Sequence, residues 1–364
     1  MINKEEKKQG EEILECLKCL APGTLLREGL ENILRAKTGA LIVIGNNKEV
    51  MELIDGGFFI NIDFTPAYLY ELAKMDGAII LSSDGKKILY ANAHLNPNPS
   101  IPSSETGTRH RTAERVAIQT GNMVISISQR RNIITIYKGW SKYVLQDINK
   151  VLTKANQAMQ TLEKYKSVLV QAMASLSVLE LEDLVTLYDV CLVIQRTEMV
   201  MRIANEIEKY IIELGSEGRL VSMQLEELIV FVKEDGKHVI EDYRINDQTK
   251  TIDIINIELR NLSSEELLDL SNISKILGFV NDVNTLDMPV MPRGYRILSK
   301  IPRIPSGVVK NIVEHFKDFQ KILRASIEEL YDVEGIGEVR AKIIKEGLRR
   351  VRDQVLLDRQ LLKK

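Results

Sequence analysis

The sequence predicts a multidomain α/β plus α protein. It has an N-terminal layered α/β domain with a mixed sheet, a helical spine, and a C-terminal domain of short helices joined by tight turns. Three observations predict this. Short β-type runs interleave with helical segments only as far as about residue 145. Helical spacing then rules alone through the middle of the chain. The last part carries two consecutive helix-turn-helix-like passages and a basic end. The resulting boundaries are 1–145, 146–293 and 294–364.

Residues 5–20 read as an amphipathic helix, punctuated by Pro22-Gly23-Thr24. Thr24 is a candidate cap for a second helix through Ala36, because its hydroxyl can accept a first-turn N–H. Ala40 to Ile44 is an apolar strand, and Asp55-Gly56-Gly57 marks a turn or a tight backbone approach. Pro66 to Lys74 is helical, with Leu69 and Leu72 facing the core. Gly77 to Leu81 and Lys87 to Ala91 are strands split by the turn signal Asp84-Gly85. Pro97, Pro99 and Pro102 make Asn96 to Ser104 a loop, and a helix follows Arg109 and ends near Gly121. Met123 to Ser128 and Asn132 to Tyr137 are strands around Gln129-Arg130-Arg131. The short hairpin-like pairs favour a mixed sheet.

From Asp147, the residues Ile148, Val151, Ala155, Met159, Leu162 and Leu169 recur at helical spacing. Helices run on to about residue 233, with a break at Gly215 to Gly218. An acidic loop is expected around Glu234-Asp235-Gly236, then a helical stretch from Ser263 to Leu277. Met159, Met173 and Met201 read as packing residues. In the C-terminal part, Ile304-Pro305-Ser306-Gly307 precedes a helix expected to reach Phe319. A second passage runs from Val333 to Ile344.

Composition bounds the function. The 364-residue chain is 45% hydrophobic and 27% charged, as a folded protein is, and its formal net charge is −2. Near-neutrality conceals a basic end: residues 339–364 hold nine Lys/Arg against three Asp/Glu. A charged N-terminus and the lack of a long apolar run predict no secretory signal and no membrane span, hence a cytoplasmic protein. Three cysteines are too few for a disulfide scaffold. Cys16 and Cys19 form C-x-x-C, but within a helical pattern and without a second ligand pair. No G-x-x-x-x-G-K-[ST] loop and no G-x-G-x-x-G turn after a first strand is present, which argues against a motor ATPase and a dinucleotide dehydrogenase.

Two segments carry chemistry. Gly107-Thr108-Arg109-His110-Arg111-Thr112-Ala113 places two arginines, a histidine and hydroxyls at the start of a helix. Helix N-terminal amides favour anions, and arginine adds a bidentate fork. A solvated basic turn is the plainer reading of the same residues. Asp76-Gly77-Ala78 puts a hard carboxylate where a helix hands over to a strand, which suits Mg²⁺ or Mn²⁺. A simple turn or cap is the plainer reading there. Gly77 is expected to let a nucleotide approach the backbone. In the tail, Gly335 and Gly337 bracket Ile336 in a turn, followed by Arg340, Ala341, Lys342 and Lys345. Such a turn lets amides approach a phosphate, and Ile336 plugs it into its own core. This passage resembles the helix-hairpin-helix family of DNA-backbone binders. The first passage lacks the paired glycines. A protein-interaction module with a solvated basic face is the alternative.

With Asp76-Gly77-Ala78 and Gly107 to Ala113 as the main motifs, the first 140 residues resemble the diadenylate cyclase domains. Asp55-Gly56-Gly57, Tyr70 to Lys74 and Ser128-Gln129-Arg130-Arg131 support the match. The whole chain resembles the family of DNA-integrity scanning proteins that carry such a domain. The resemblance implies condensation of two ATP molecules into the second messenger cyclic di-3′,5′-adenylate with release of two pyrophosphates, coupled to sensing of branched DNA or DNA damage in DNA repair. It implies Asp76 as metal ligand and as the residue positioning the 3′-hydroxyl. Thr108, Arg109, Arg111, Thr112 and Ser128 become candidate phosphate ligands, with Gly77, Gly107 and Leu95, after His94, lining the nucleotide site. His110 serves either phosphate or metal. Arg130 and Arg131 either aid the triphosphate or remain turn residues. Because the product is twofold symmetric, one ATP on each of two facing protomers is the simple solution. The family resemblance extends this to a homo-octamer that is nucleoid-associated. The rival readings are a DNA-binding scaffold with an inactive nucleotide domain, and a nucleotidyltransferase or hydrolase acting on another substrate.

Overall fold

A computed structural model describes residues 4–245, 250–280 and 284–362. The chain divides into two compact units. One comprises residues up to 157 together with 207–223, and the other comprises 158–206 together with 224 onward.

The first unit opens with α1 (Lys4–Cys19), α2 (Leu25–Arg35), β1 (Ala40–Ile44), α3 (Lys48–Met51), β2 (Ile54–Asp55) and β3 (Phe58–Asp63). There follow α4 (Pro66–Leu72), β4 (Ala78–Leu81), β5 (Lys87–Leu95), α5 (Thr108–Thr120), β6 (Met123–Ser128), β7 (Ile133–Lys138) and β8 (Ser141–Val144). Thr24 caps α2, accepting from Arg27 N at 3.2 Å. The sheet order is β2-β5-β4-β1-β6-β7-β8, with β3 also on β5. β1 and β4 run parallel and the other pairs antiparallel, so the sheet is mixed. The short elements α3, β2, β3 and β8 escape the sequence reading. Their burial patterns are weak, and β3 alternates around largely exposed positions.

Strand alternation builds three layers. Ala40 and Ile42 of β1 join a core with Leu20, Leu30, Ile33 and Leu69 from α1, α2 and α4 or their borders. Leu41 and Val43 face the other way, into a core with Ala113, Val116 and Ala117 of α5. Thus α5 and α3 cover one face of the sheet, opposite α1, α2 and α4. Cys16 is buried on α1, which pushes its thiol up to about 11, and Cys19 is exposed. Both are free thiols.

The remaining elements are α6 (Ile148–Glu182), α7 (Leu187–Leu214), a 3₁₀ turn (Gly215–Gly218), α8 (Arg219–Ile229), α9 (Val232–Tyr243) and α10 (Ile252–Asn261). After them come α11 (Ser264–Leu268), α12 (Leu270–Ile276), a 3₁₀ turn (Thr285–Asp287), α13 (Tyr295–Ser299) and α14 (Ser306–Phe316). The chain closes with α15 (Phe319–Arg324), α16 (Ile327–Tyr331) and α17 (Glu338–Leu362). No named strand follows β8 among the described residues. The break expected at Gly215 is real: Gly215 has φ +52°, and a β-carbon there would fall 2.4 Å from Pro22 O.

Two expectations are corrected. Glu234-Asp235-Gly236 lies inside α9, not in a loop. The acids occupy the first turn, where the helix dipole favours them. Gly236 is there for contact, since its β-carbon would sit 2.5 Å from Thr197 Cγ2. The helix after Ser306 ends at Phe316 instead of Phe319, because Lys317 turns left-handed and Asp318 caps the next helix. Lys363 and Lys364, counted in the basic end, lie outside the described residues.

The second unit is organised by a buried charge cluster. Arg296 of α13 and Glu180 of α6 form a fully buried ion pair. Tyr243 donates to Glu180 at 2.8 Å. Asp242 accepts the N–H groups of Gly294, Tyr295 and Arg296 at 2.7–3.0 Å, capping α13. Burial, with Glu180 nearby, still pushes the Asp242 carboxyl up to about 7. Removing one partner of such a pair costs about 3–5 kcal/mol, because the other charge is stranded. Arg296→Met is therefore expected to raise amide exchange across Tyr295–Ser299 by roughly 10²-fold or more. Unchanged exchange there would show that the cluster does not hold α13.

Candidate active site and nucleic-acid interface

The first turn of α5 is built to leave donors free. Gly107 occupies the N-cap with extended backbone and supplies no capping side chain. No acidic residue lies in the first turn. Arg111 N, bonded to Gly107 O at 2.9 Å, begins the helical ladder, so the amides before it are available to an anion. Ala113, Val116 and Ala117 anchor the helix body in the core. The proline-bearing loop is strapped to the same helix. Glu114 accepts from Ser103 Oγ and from Ser104 N at 3.2 Å. Arg115 Nε reaches Ile101 O at 2.9 Å, and Asn98 N reaches Gln119 Oε1 at 2.9 Å.

Asp76 and Arg109, 33 positions apart, meet at 3.3 Å. The Asp76 side chain is fully exposed. Gly39 makes room for the guanidinium: a β-carbon there would lie 2.2 Å from Arg109 Nη1. Gly77 also has a packing reason to be small. Its β-carbon would lie 2.3 Å from the backbone of Asn92, whose Oδ1 accepts Gly77 N at 3.0 Å. Asn92 itself has φ +51°, at an irregularity in the β4–β5 pairing. The backbone next to Asp76 is thereby fixed on the sheet.

Thr108 is exposed, Thr112 is half-buried, and Arg111 reaches Glu105 O at 3.3 Å. Ser128 is half-buried and accepts from Arg131 N at 3.2 Å in the β6–β7 turn, which leaves its O–H proton free to donate. Arg130 and Arg131 are exposed on that turn, and Arg131 is close enough to His110 to lower its basicity. Leu95 ends β5 in the core beneath α5, and His94 beside it is exposed.

Sequence reasoning overlooks Glu105, Tyr137, Lys142 and Gly39. Tyr137 O–H donates to Glu105 Oε1 at 2.8 Å, and Lys142 pairs with the same oxygen. His110 Nδ1 lies 3.0 Å from the Tyr137 hydroxyl. Burial raises the Glu105 carboxyl, but Lys142 and Tyr137 outweigh it and hold the group below the usual carboxylate range. Burial holds His110 below the usual imidazole range, against the pull of Glu105. Burial, reinforced by Glu105, pushes the Tyr137 phenol far up. A tyrosine within the buried run of β7 is the available signal, since its hydroxyl needs a partner. Among the described residues no three His, Cys, Asp or Glu side chains gather as a metal cage.

In the tail, Gly335 has φ +83° and the β-carbon position of Gly337 is open. Ile336 is buried with Val333, Ala341 and Ile344. Arg340 Nη1 returns to Gly335 O at 2.7 Å, and Lys342 pairs with Glu338 at 2.6 Å. Lys345 is turned inward to Leu323 O and Ala325 O, at the end of α15. The first hairpin repeats this backbone with an offset of 32 residues. Arg303, φ +67°, stands where Gly335 stands, and Pro305 O accepts Val309 N as Gly337 O accepts Ala341 N. The paired glycines are missing, yet the turn is formed.

Curated relatives match along nearly the whole chain. DNA integrity scanning protein DisA of Acetivibrio thermocellus is 60% identical over 98% of this chain and 99% of its own length. The DisA proteins of Clostridioides difficile and Carboxydothermus hydrogenoformans are 59% and 61% identical, over 96% and 94% of this chain and 98% of each relative. This chain belongs to the DisA family. Residues 27–141 match the DisA bacterial checkpoint controller nucleotide-binding region, and 145–286 match its linker region. Residues 295–350 match a SAM-like helix-hairpin-helix tandem. The N-terminal domain of this family member is a diadenylate cyclase domain, and the C-terminal one is a helix-hairpin-helix DNA-binding domain. No helix among the described residues is long and apolar enough to cross a membrane.

The two glycines of the site separate by substitution. Gly77→Ala collides with backbone and is expected to cost about 1–3 kcal/mol. Gly107→Ala meets His110 Cδ2 at an ordinary 3.8 Å and should lose only the N-cap preference of glycine over alanine, about 0.5–1 kcal/mol. Thermal unfolding of the two variants checks this; equal losses would contradict it.

Proposed function

We propose that the protein condenses two ATP molecules into cyclic di-3′,5′-adenylate, with each 3′-oxygen attacking the α-phosphorus of the other nucleotide. Two P–O bonds form, two bonds to bridging oxygens break, and two pyrophosphates leave with the loss of two hydroxyl protons. The observation that carries this reading is the contact of the fully exposed Asp76 with Arg109 at the uncapped start of α5. A carboxylate and an anion cradle stand side by side, open on the outward face.

The first-turn amides of α5, with Thr108, Arg109, Arg111, Thr112 and Ser128, hold phosphates and stabilise the charge that grows during transfer. Gly107 leaves the approach open, and Gly77 and Leu95 line the floor. Asp76 orients the 3′-hydroxyl. A divalent cation, Mg²⁺ or Mn²⁺, fits a lone exposed carboxylate because such ions take one or two protein carboxylates and complete their shell with phosphates and water. When bound it supplies charge neutralisation and acidifies the hydroxyl.

The symmetry of the product asks for two half-sites facing each other, one ATP on each protomer. A homo-octamer with paired cyclase domains meets that demand. The hairpin turns at Gly335–Gly337 and Arg303 bind the DNA backbone without reading sequence, using Arg340 and Lys342 once they exchange their own-chain partners for phosphate. Lys345 contributes through the end of α15. Junction or branched DNA then lowers cyclase output. The functional division follows 1–145, 146–293 and 294–364, in a cytoplasmic, nucleoid-associated protein.

Incubation with ATP and Mg²⁺ or Mn²⁺, with products identified by mass and chromatography, tests the reading. The cyclic dinucleotide is expected, and chelation of the metal abolishes it. Asp76→Asn should lower turnover by roughly 10²–10³-fold with the assembly unchanged. DNA binding without any product under either metal would point instead to a scaffold with an inactive nucleotide domain. Gly335→Glu combined with Gly337→Glu should weaken DNA binding and spare basal cyclisation; equal loss of both would refute a separate DNA interface.

A further inference from the structure

The chain Lys142–Glu105–Tyr137–His110 fixes where one proton sits. The Glu105 carboxylate is ionised and only accepts, so the single Tyr137 hydroxyl proton points to Glu105 Oε1. The Tyr137 oxygen is then an acceptor toward His110, and Nδ1, 3.0 Å away, must be the N–H donor. A neutral ring carries one N–H, so Nε2 holds a lone pair. Nε2 is buried and has no hydrogen-bond partner among the described residues. Its neighbour in the ring, Cδ2, is the atom that a β-carbon on Gly107 would meet. The Nε2–Cδ2 edge of the ring thus lies beside the N-cap of α5, with Nε2 closed from solvent in the ligand-free chain.

We propose that Glu105 and Tyr137, with Lys142 neutralising the carboxylate, are positioning residues that lock His110 as its Nδ1–H tautomer and present Nε2 to the bound nucleotide as an acceptor. This rests on the reading of α5 as the nucleotide cradle. It separates the two roles left open for His110. A lone pair repels phosphate oxygen, so His110 is not a phosphate donor. Its partner is an O–H donor: a ribose hydroxyl or a metal-bound water. Arg109 and Arg111 are left as the side-chain cations of the cradle's first turn.

The arrangement also says which substitutions matter. Lys142 and Tyr137 both address Glu105 Oε1. Glu105→Gln keeps a carbonyl oxygen there, so Tyr137 still donates to it and the tautomer is kept. Glu105→Leu and Tyr137→Phe each break the chain.

Nitrogen-15 spectra of imidazole-labelled full-length protein, with His110 assigned through His110→Gln, read the tautomer directly and need no turnover. In the resting protein Nδ1 should carry the proton and Nε2 should resonate as an unprotonated nitrogen. Tyr137→Phe should shift the population to the Nε2–H form and lower kcat by roughly 10²-fold, with KM for ATP within about twofold. Glu105→Gln should keep the Nδ1–H tautomer in the same spectra. Adding 3′-deoxy-ATP, with and without Mg²⁺, separates the donors: a shift of Nε2 that needs Mg²⁺ identifies metal-bound water, and one seen only with ATP in the absence of metal identifies the 3′-hydroxyl. An Nε2–H or doubly protonated ring in the resting protein would overturn the proposal. So would a Tyr137→Phe protein that folds and keeps wild-type kcat. If Tyr137→Phe does not fold, Glu105→Leu, expected to lose the Nδ1–H tautomer, set against Glu105→Gln, expected to keep it, decides by the spectra. Because the tautomer is read without ATP, failure of the cyclisation reading leaves this result standing on its own.

Discussion

Everything in the candidate site depends on one constraint: α5 is buried along its body and left uncapped at its start. Ala113, Val116 and Ala117 are sealed against the sheet, so the helix cannot tilt to hide its first-turn amides. Those amides stay available because Gly107 offers no oxygen to them. The rest of the layer serves that geometry. Gly39 clears space for Arg109, the Gly77–Asn92 contact fixes the backbone beside Asp76, and the proline loop is tied down by Glu114, Arg115 and Gln119. An anion site made this way needs no local flexibility to form.

The C-terminal unit uses the same device with a different load. Buried charges hold α13, which begins the first hairpin, and an apolar core reaches from Ile297 to Leu348 through both hairpins. The turns stand out from that core on backbone geometry. Gly335 reaches the left-handed conformation freely, whereas Arg303 pays steric strain for it, about 1–3 kcal/mol. A charged side chain is thereby placed at the turn where the second hairpin has bare backbone.

Much of the architecture was legible in the sequence because it is local. The cap at Thr24, the turns at Asp84-Gly85 and Gly121, and the spacing of Val151, Ala155 and Leu162 each follow from residues a few positions apart. What stayed hidden is long-range. Gly236 reads as a breaker until Thr197 is seen filling its missing β-carbon. The packing of Gly77 against Asn92 cannot be read from either residue alone. Glu105 and Tyr137 are 32 positions apart, so neither advertises the other. The first hairpin escapes a glycine-based search because its turn is made by Arg303.

The central claim is that each protomer holds half of a reaction centre. Co-assembly of wild-type and Asp76→Asn chains tests it most directly. If both bonds of the ring need an Asp76 from each facing protomer, cyclic product at half wild-type content falls to roughly a quarter, as the square of the wild-type fraction. Linear diadenylate with a 5′-triphosphate should accumulate from the mixed pairs. Cyclic product falling only to about half, without the linear intermediate, would mean that each protomer completes the ring alone.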